Sequence, residues 1–432
     1  MAKCRHHART LFHPGPRHRP SLTPVRDPAR SQRWRALLAA QSGYMLDAMD
    51  VLLYVFAVNT LRAEFGLSNA QAGLVSSLTL ICSAAGGFLC GALADRLGRT
   101  RMLVWTILLY SVASAGTAFS TGLGSLLFWR GLVGFGLGGE WSAGAVLVAE
   151  TWPDETRARA MGFMQSGWSL GYLLAAGVTA FVLPRFGWRV LFLTGIAPAL
   201  LALVIRRGVA EPAVWLNRTR SETKPASLAV IFGPPLLRKT VAATALAASV
   251  LFAYWGLFTW LPGFLSAPTE HGGAGLSVVR TSAWIVPMQM GAFLGYISFG
   301  WIAERVGRRS AFLIYVITAA VLVPVYGSSR SPGMLLGLGP FVGFFGSGYF
   351  SLFGAMLAEL YPTEVRGAGQ GFTYNCGRAF SALAPFAVGS LADRHGLGPA
   401  LALNSAFFIA GAVMIFALPA RAGLYIVNQR GV

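Results

Sequence analysis

Charge is what this sequence has least of. Lys, Arg, Asp and Glu make up 12% of its 432 residues, about half the usual share of ~25% in a soluble domain. With 55% hydrophobic residues and a mean hydropathy of +0.58, that shortage excludes an ordinary soluble enzyme. Acidic residues are scarcer than basic ones, 16 against 35, for a net charge of +19. No basic patch with interleaved aromatics accompanies the excess, so no nucleic-acid partner is implied. Cysteine is rare as well: Cys4, Cys82, Cys90 and Cys376 are scattered, which gives neither a disulfide framework nor a zinc site. His6, His7, His13 and His18 lack ordered metal-ligand spacing. No phosphate-cradling loop of the form G-x-x-x-x-G-K-[ST] is present, so no nucleotide motor is visible. Nothing in the chain points to catalysis, a cofactor or a resident metal.

What the sequence has instead is long apolar runs. Twelve of them, each long enough to cross a ~30 Å hydrocarbon core, cover about residues 36–60, 71–93, 103–121, 125–149, 160–182, 188–205, 240–264, 281–303, 311–329, 333–358, 367–391 and 399–419. Many are rich in Gly and Ala, which lets helices approach closely where apolar side chains gain nothing by leaving lipid. The expectation is an all-α membrane protein of twelve transmembrane helices, packed in the lipid bilayer.

The arginines orient it. Arg96, Arg99 and Arg101 follow the second span, Arg157 and Arg159 the fourth, Arg305, Arg308 and Arg309 the eighth, and Arg366 the tenth. These loops, the N-terminal tail 1–35 and the segment 206–239 fall on one side, which the positive-inside rule makes cytoplasmic. Opposite loops carry mostly isolated cations such as Arg62, Arg280 and Arg330. Both termini, including the tail 420–432, are then inside, and the preference for Arg over Lys points weakly to a bacterial inner membrane. The basic tail has no apolar core after its start, so it is no secretory signal. It reads as a disordered cytoplasmic extension or as a start codon assigned too early.

The chain repeats itself. "GALADRLGRTR" at 91–101 matches "GWIAERVGRRS" at 300–310, and "VAETWPDETRARAMGF" at 148–163 matches "LAELYPTEVRGAGQGF" at 357–372. Asp95 and Glu304 lie 209 residues apart, as do Glu150 and Glu359. Two motifs sharing one offset divide the chain into two similar six-helix halves, 36–205 and 240–419. Such halves commonly pack around a central cavity near the midplane and rock about it, so the pattern implies a transporter.

"GALADRLGRTRML", echoed at 300–309, resembles the signature loop of the major facilitator superfamily, and "FWRGLVGFGLGGEW" resembles its fourth-helix motif. The resemblance spans about residues 36–420 and implies that superfamily's two-domain fold and a secondary active, commonly monomeric carrier. Physically, Gly91 allows close helix contact, Asp95 ends the second helix beside Arg96 and Arg99, and Gly98 supplies a tight turn. In the superfamily, similar positions latch the cytoplasmic ends of the halves in the outward-facing state. The resemblance extends that role to Glu304, Arg305 and Arg308, and to Glu150 with Arg157 and Glu359 with Arg366. These are gating residues; the bland alternative is positive-inside charge with helix capping.

Ionisable groups inside a span cost several kcal/mol unless they face a wet cavity or a partner. Asp47 and Asp50 lie three apart on one helical face, where two like charges disfavour joint ionisation. They read as a proton-coupling pair, against the alternative of a structural pairing with arginine. Arg130 and Glu140 share the fourth span ten residues apart, about 15 Å along the axis, so each must look to another helix. Glu140 reads equally as a proton carrier or as one half of an ion pair, and Arg130 stands where the superfamily motif has its arginine.

Arg378, in "GFTYNCGRAFSALAPF" of the eleventh span, offers a planar fork that fits a carboxylate, with Tyr374 and Asn375 nearby. The 209 offset sets Ser169 opposite Arg378 and Gln165 opposite Tyr374. Trp255, Tyr254 and Gln289 could line the same cavity; Trp260, beside Pro262, reads as an interfacial anchor. The rival reading of Arg378 is a buried ion pair.

"DAMD", "GGEW" and "YNCGR" look like the branch of organic-acid proton symporters, of the sialate and lactate type and the aromatic-acid type. The latter usually shows Asp-Gly-Phe-Asp in its first helix; Ala48 and Met49 stand in the middle here, which favours the sialate or lactate side. The expected function is proton-coupled import of a small organic anion. Carboxylates serve sodium as readily as protons, so the coupling ion stays open. A sugar or metabolite symporter and a drug or metabolite exporter are rivals with the same fold, and a non-transporting sensor is a rival of another class.

Overall fold

The computed structural model describes residues 28–200, 228–358, 360–362 and 365–419. The expected tails before residue 28 and after 419, and residues 206–227 of the central segment, lie outside them. Every described span is helical. The first runs Pro28–Phe65, beginning inside what the sequence assigned to the tail because "PARSQRWRALL" holds no helix breaker after its leading proline. The second, Asn69–Leu97, starts where Ser68 accepts from the Gln71 N–H, the expected N-cap chemistry. Arg99–Thr117 and Leu123–Thr151 follow. The fifth and sixth spans form one helical path, Asp154–Leu193, bent at Gly187 with φ 76 and continued by a 3-10 turn at Thr194–Ile196.

In the second half the seventh span starts at Pro234 and ends at Ser266, with proline in the first turn where its missing N–H costs nothing. The eighth and ninth are Val278–Val306 and Arg308–Ser328. The last three are interrupted: Pro332–Ser347 then Phe350–Ala358, Arg366–Ser381 then Leu383–His395, and Leu397–Leu401 then Leu403–Met414. Seven of the described helices are long and apolar enough to cross a membrane unaided. Large apolar side chains such as Phe119 and Val321 stand exposed on the outside, as a lipid-facing belt requires and a water-soluble surface of this extent would not tolerate.

The sequence repeat reappears as a repeat of packing. Gly134 lies against the Thr79 carbonyl and Gly343 against that of Met288; Gly86 lies against the Phe135 carbonyl and Gly295 against that of Phe344. Every residue in the second member of each pair is the first shifted by 209. Backbone touches backbone at these points, so any larger side chain would force the second and fourth, or eighth and tenth, spans apart.

Gly91 departs from its expected part. A Cβ there would meet nothing within 4 Å, and the same is true of its echo Gly300, because both face open space at the helix ends. The turn glycines do behave as expected: Gly98 has φ 109 and Gly307 φ 87, values that only glycine adopts without strain.

The halves meet along a continuous seam between the second and eleventh spans. Phe386 N–H donates to Ser77 Oγ at 3.2 Å, Arg378 Nη1 donates to Ser83 Oγ at 2.8 Å, the Asn375 amide rests on Gly87, and the Phe88 and Phe372 rings stand 6.3 Å apart. On the face opposite the arginine-rich loops, Asn59 Nδ2 donates to the Gly263 carbonyl and Ser266 Oγ, and Tyr172 OH donates to the Phe258 carbonyl. Trp260 is no interfacial anchor. It is 1% exposed and its Nε1 donates 2.8 Å to the Pro385 carbonyl, because that carbonyl offers its indole a partner inside the second half.

Candidate functional site

One face of the first span gathers the buried acids. Gly43, Asp47 and Asp50 stand four and three residues apart, hence on a single stripe. The Glu140 carboxylate comes to that stripe from the fourth span: its Oε1 lies 2.5 Å from where a Cβ on Gly43 would be. Asp47, Asp50 and Glu140 are at most 1% exposed. Asp47 lies within electrostatic reach of Glu140, Asp50, Arg378 and Arg130, and neither it nor Glu140 has a hydrogen-bond partner among the described residues. The expected alternative of a Glu140–Arg ion pair is therefore not what the structure shows.

Asp50 sits at the break in the sixth span. Its Oδ1 and the Ser114 hydroxyl both crowd Gly195, inside the 3-10 turn, where any side chain would displace them. Arg130, 1% exposed, donates through Nη2 to the Val51 carbonyl at 3.3 Å and stands 5.4 Å from the Tyr54 ring centroid. It lies within electrostatic reach of Asp50, and its Nε and Nη1 have no hydrogen-bond partner among the described residues. The hydroxyl of Tyr110, fully buried on the third span, is near all three carboxylates. An ionised carboxylate without a partner in such surroundings is costly.

Arg378 faces the cluster from the other half. It is 3% exposed, anchored by Ser83, and its guanidinium lies 5.0 Å from the Tyr374 centroid. A hydroxyl and a ring are thus two of its neighbours, and Asp47 lies within electrostatic reach of it. Asn375 is turned to the seam: its Nδ2 donates to the Gly371 carbonyl and its Oδ1 abuts Gly87.

Around Arg378 the walls are aromatic. Trp168 meets Tyr44 at 5.2 Å and Trp255 edge-on at 5.5 Å; Trp255 meets Tyr254 at 5.7 Å. Tyr296 joins Tyr44 and Tyr374 within electrostatic reach. Gln289, 2% exposed with its Nε2 unpartnered among the described residues, and Gln165, nine-tenths buried, complete the polar part. Among the described residues no group of His, Cys, Asp or Glu, the three buried acids included, is arranged to hold a metal ion.

The gating residues are only partly visible. The side chains of Asp95, Arg99, Glu150, Arg157 and Arg366, and the whole of Glu359, lie outside what the structure describes. Arg96 and Glu304 are exposed, Arg308 has an interaction of its own, and Arg305 stacks on Trp301 of its own helix at 3.4 Å. Sequence reading counted Arg309 only among the orienting arginines; its Nη2 donates to the Leu418 carbonyl at 2.6 Å and ties the ninth span to the end of the twelfth. Sequence reading missed Gly43, Ser83, Tyr110, Ser114, Trp168 and Gly195. A lone serine, tyrosine or glycine in an apolar span is too common to single out before its neighbours are known.

A family model described as Major Facilitator Superfamily matches residues 42–298 and 273–429. The chain is 31% identical over 392 residues to the cis,cis-muconate transport protein of Acinetobacter baylyi, covering 89% of this chain and 94% of that protein. It is 29% identical over 383 residues to the sialic acid transporter NanX of Escherichia coli, covering 88% of this chain and 93% of that one. Among solved structures, a D-xylose-proton symporter superposes with a TM-score of 0.72 at 18% identity, covering 91% of this chain and 99% of that chain. At that identity the likeness is one of fold.

Proposed function

The chain belongs to the major facilitator superfamily, as a multi-pass membrane transporter and not an enzyme, and from that premise we propose that it imports a small organic anion together with a proton. The observation that carries the reading is Arg378: a permanent cation buried inside a span, donating to the Ser83 hydroxyl and lying 5.0 Å from the Tyr374 ring centroid. Arginine keeps its charge in such a site and its fork fits a carboxylate in two hydrogen bonds. Muconate and sialic acid, named for the two relatives, carry two carboxylates and one respectively.

Charge balance supplies the coupling. Asp47, Asp50 and Glu140 face Arg130 and Arg378, three anionic groups against two cations. An arriving anion adds a further negative charge to a site screened from water, and a proton on one carboxylate offsets it. Each ligand then favours the state that the other favours, which is all that coupling requires. The reading places the arginine-rich face and both termini in the cytoplasm of a bacterial inner membrane, and the carrier as a monomer.

The aromatic wall narrows the anion. Ala48 and Met49 favour sialate or lactate, but Tyr44, Trp168, Trp255 and Tyr374 offer ring faces and edges that a flat, conjugated acid would use and lactate would not. The proposal therefore favours planar unsaturated or aromatic carboxylates. Its test is uptake into proteoliposomes, under an inward proton gradient, of benzoate, cis,cis-muconate, lactate, sialate and a neutral hexose, by the natural chain and by Arg378→Gln. Acid uptake that needs the gradient and is lost in the variant supports the reading. Hexose uptake indifferent to Arg378, or efflux of preloaded substrate driven by the gradient, overturns it.

A further inference from the structure

Asp393 stands in the last turn of Leu383–His395, where a negative charge opposes the dipole of its own helix. Its carboxylate finds compensation on the other half of the molecule. Oδ1 accepts from the Asn69 N–H at 2.9 Å and from Asn69 Nδ2 at 2.8 Å, and Oδ2 accepts from the Ala70 N–H at 2.9 Å. Those are the first two amides of the second span, which no group within a helix can satisfy. Ser68 takes only the third, at Gln71. The N-terminus of the second span is thus capped jointly, by its own serine and by an aspartate of the opposite half.

The sequence around Asp393 repeats a motif already met at the opposite face. "LADRHG" at 391–396 matches "LADRLG" at 93–98, and both segments end a helix at a glycine of positive φ, Gly396 at 83 and Gly98 at 109. One hexapeptide therefore closes the second span at the arginine-rich face and the eleventh span at the other. The neighbourhood of Asp393 belongs to the seam: Gly389 packs on the Asn69 carbonyl, Gly73 on that of Pro385, and Arg62 lies within electrostatic reach.

We propose that Asp393 is the outer latch of this carrier, holding the second and eleventh spans together on the face opposite the arginine-rich loops and letting go when that face opens. Its chemistry suits a reversible catch. The bonds are charge-assisted, but Asp393 is exposed, so water replaces the lost partners on opening and the penalty stays small. The inference depends on the halves moving against each other and not on which solute is carried, so it can fail or stand independently of the anion reading.

The test is a spin-label distance across the outer face. Labels at Thr121→Cys and Ser331→Cys, both exposed loop positions on that face in different halves, are placed in a chain with its four native cysteines replaced by alanine. In detergent without substrate, Asp393→Ala and the isosteric Asp393→Asn are expected to raise the long-distance, outward-open population by about fivefold, the scale of losing exposed charge-assisted bonds. Asn69→Ala, which spares both backbone amides, is expected to shift it less. Monodisperse elution of the Asp393→Asn protein guards against misfolding. Distance distributions that coincide in the parent, Asp393→Asn and Asp393→Ala proteins would overturn the latch.

Discussion

The Glu140 carboxylate occupies the space that a side chain at position 43 would fill, its Oε1 2.5 Å from the place of the missing Cβ. Gly43 is therefore a requirement of Glu140 and not a generic helix contact. A methyl group there must push the acid away from Asp47, at a cost typical of overpacking, about 1–3 kcal/mol. Gly43→Ala is expected to lower gradient-driven uptake by about tenfold or more on that scale. Shortening the intruded side chain in the double variant Gly43→Ala with Glu140→Asp should restore part of it. Initial uptake rates of the two single variants, the double variant and the parent close the cycle. Strict additivity of the two losses would mean that the contact does not matter to transport.

Coupling and binding are separable at Asp47. Its carboxylate has no hydrogen-bond partner among the described residues and lies within electrostatic reach of Glu140 and Arg378, so removing its charge leaves Arg378 in place while taking away the proton's counterpart. Asp47→Asn is expected to abolish accumulation under a proton gradient while preserving solute counterflow to within about threefold, since exchange needs binding but no net proton movement. Loss of both activities together would assign Asp47 to substrate binding or structure.

Arg378→Lys should behave as a severe change. Lysine keeps the charge but loses the fork, the bond to Ser83 and the guanidinium contact with the Tyr374 ring. Charge-assisted hydrogen bonds of this kind are worth about 1.5–3 kcal/mol, so apparent affinity should weaken by about 10- to 100-fold while expression and membrane insertion are unchanged. Half-saturation constants for uptake by the natural and Arg378→Lys chains decide it. An unchanged value would mean that charge alone suffices and that the fork is unused.

The fold was legible because its signals are long. Twelve apolar runs, arginines on alternate loops and a 209-residue echo survive any uncertainty about single residues, and the same offset governs the glycine contacts at Gly134 and Gly343. The candidate site was half legible. Asp47, Asp50, Glu140, Arg130 and Arg378 stood out because charge inside a span is expensive. Their geometry did not: a sequence cannot show that Arg378 rests on Ser83, 295 residues away, or that Asp50 abuts a break in the sixth span. Trp260 misled for the opposite reason, since its place near a helix end hid the carbonyl that its indole reaches inside the protein. Asp393 drew no notice because an aspartate at a helix end is ordinary until its partner helix is seen.

Trp168 is the place to test the aromatic wall. It joins Tyr44 and Trp255 through ring contacts at 5.2 and 5.5 Å, and it stands one residue before Ser169, the position that the repeat sets opposite Arg378. Aromatic pairs add about 0.5–1.5 kcal/mol beyond the area they bury. A flat acid held between Arg378 and these rings would lose that contribution in Trp168→Ala, whereas lactate, with no ring to offer, would lose little. The expected result is a selectivity change: competition by benzoate weakens about tenfold, competition by lactate stays within about twofold, and Trp168→Phe keeps most of the preference for benzoate. Equal weakening of both acids would make Trp168 a packing residue, and would return the choice of anion to the sialate or lactate side that Ala48 and Met49 favour.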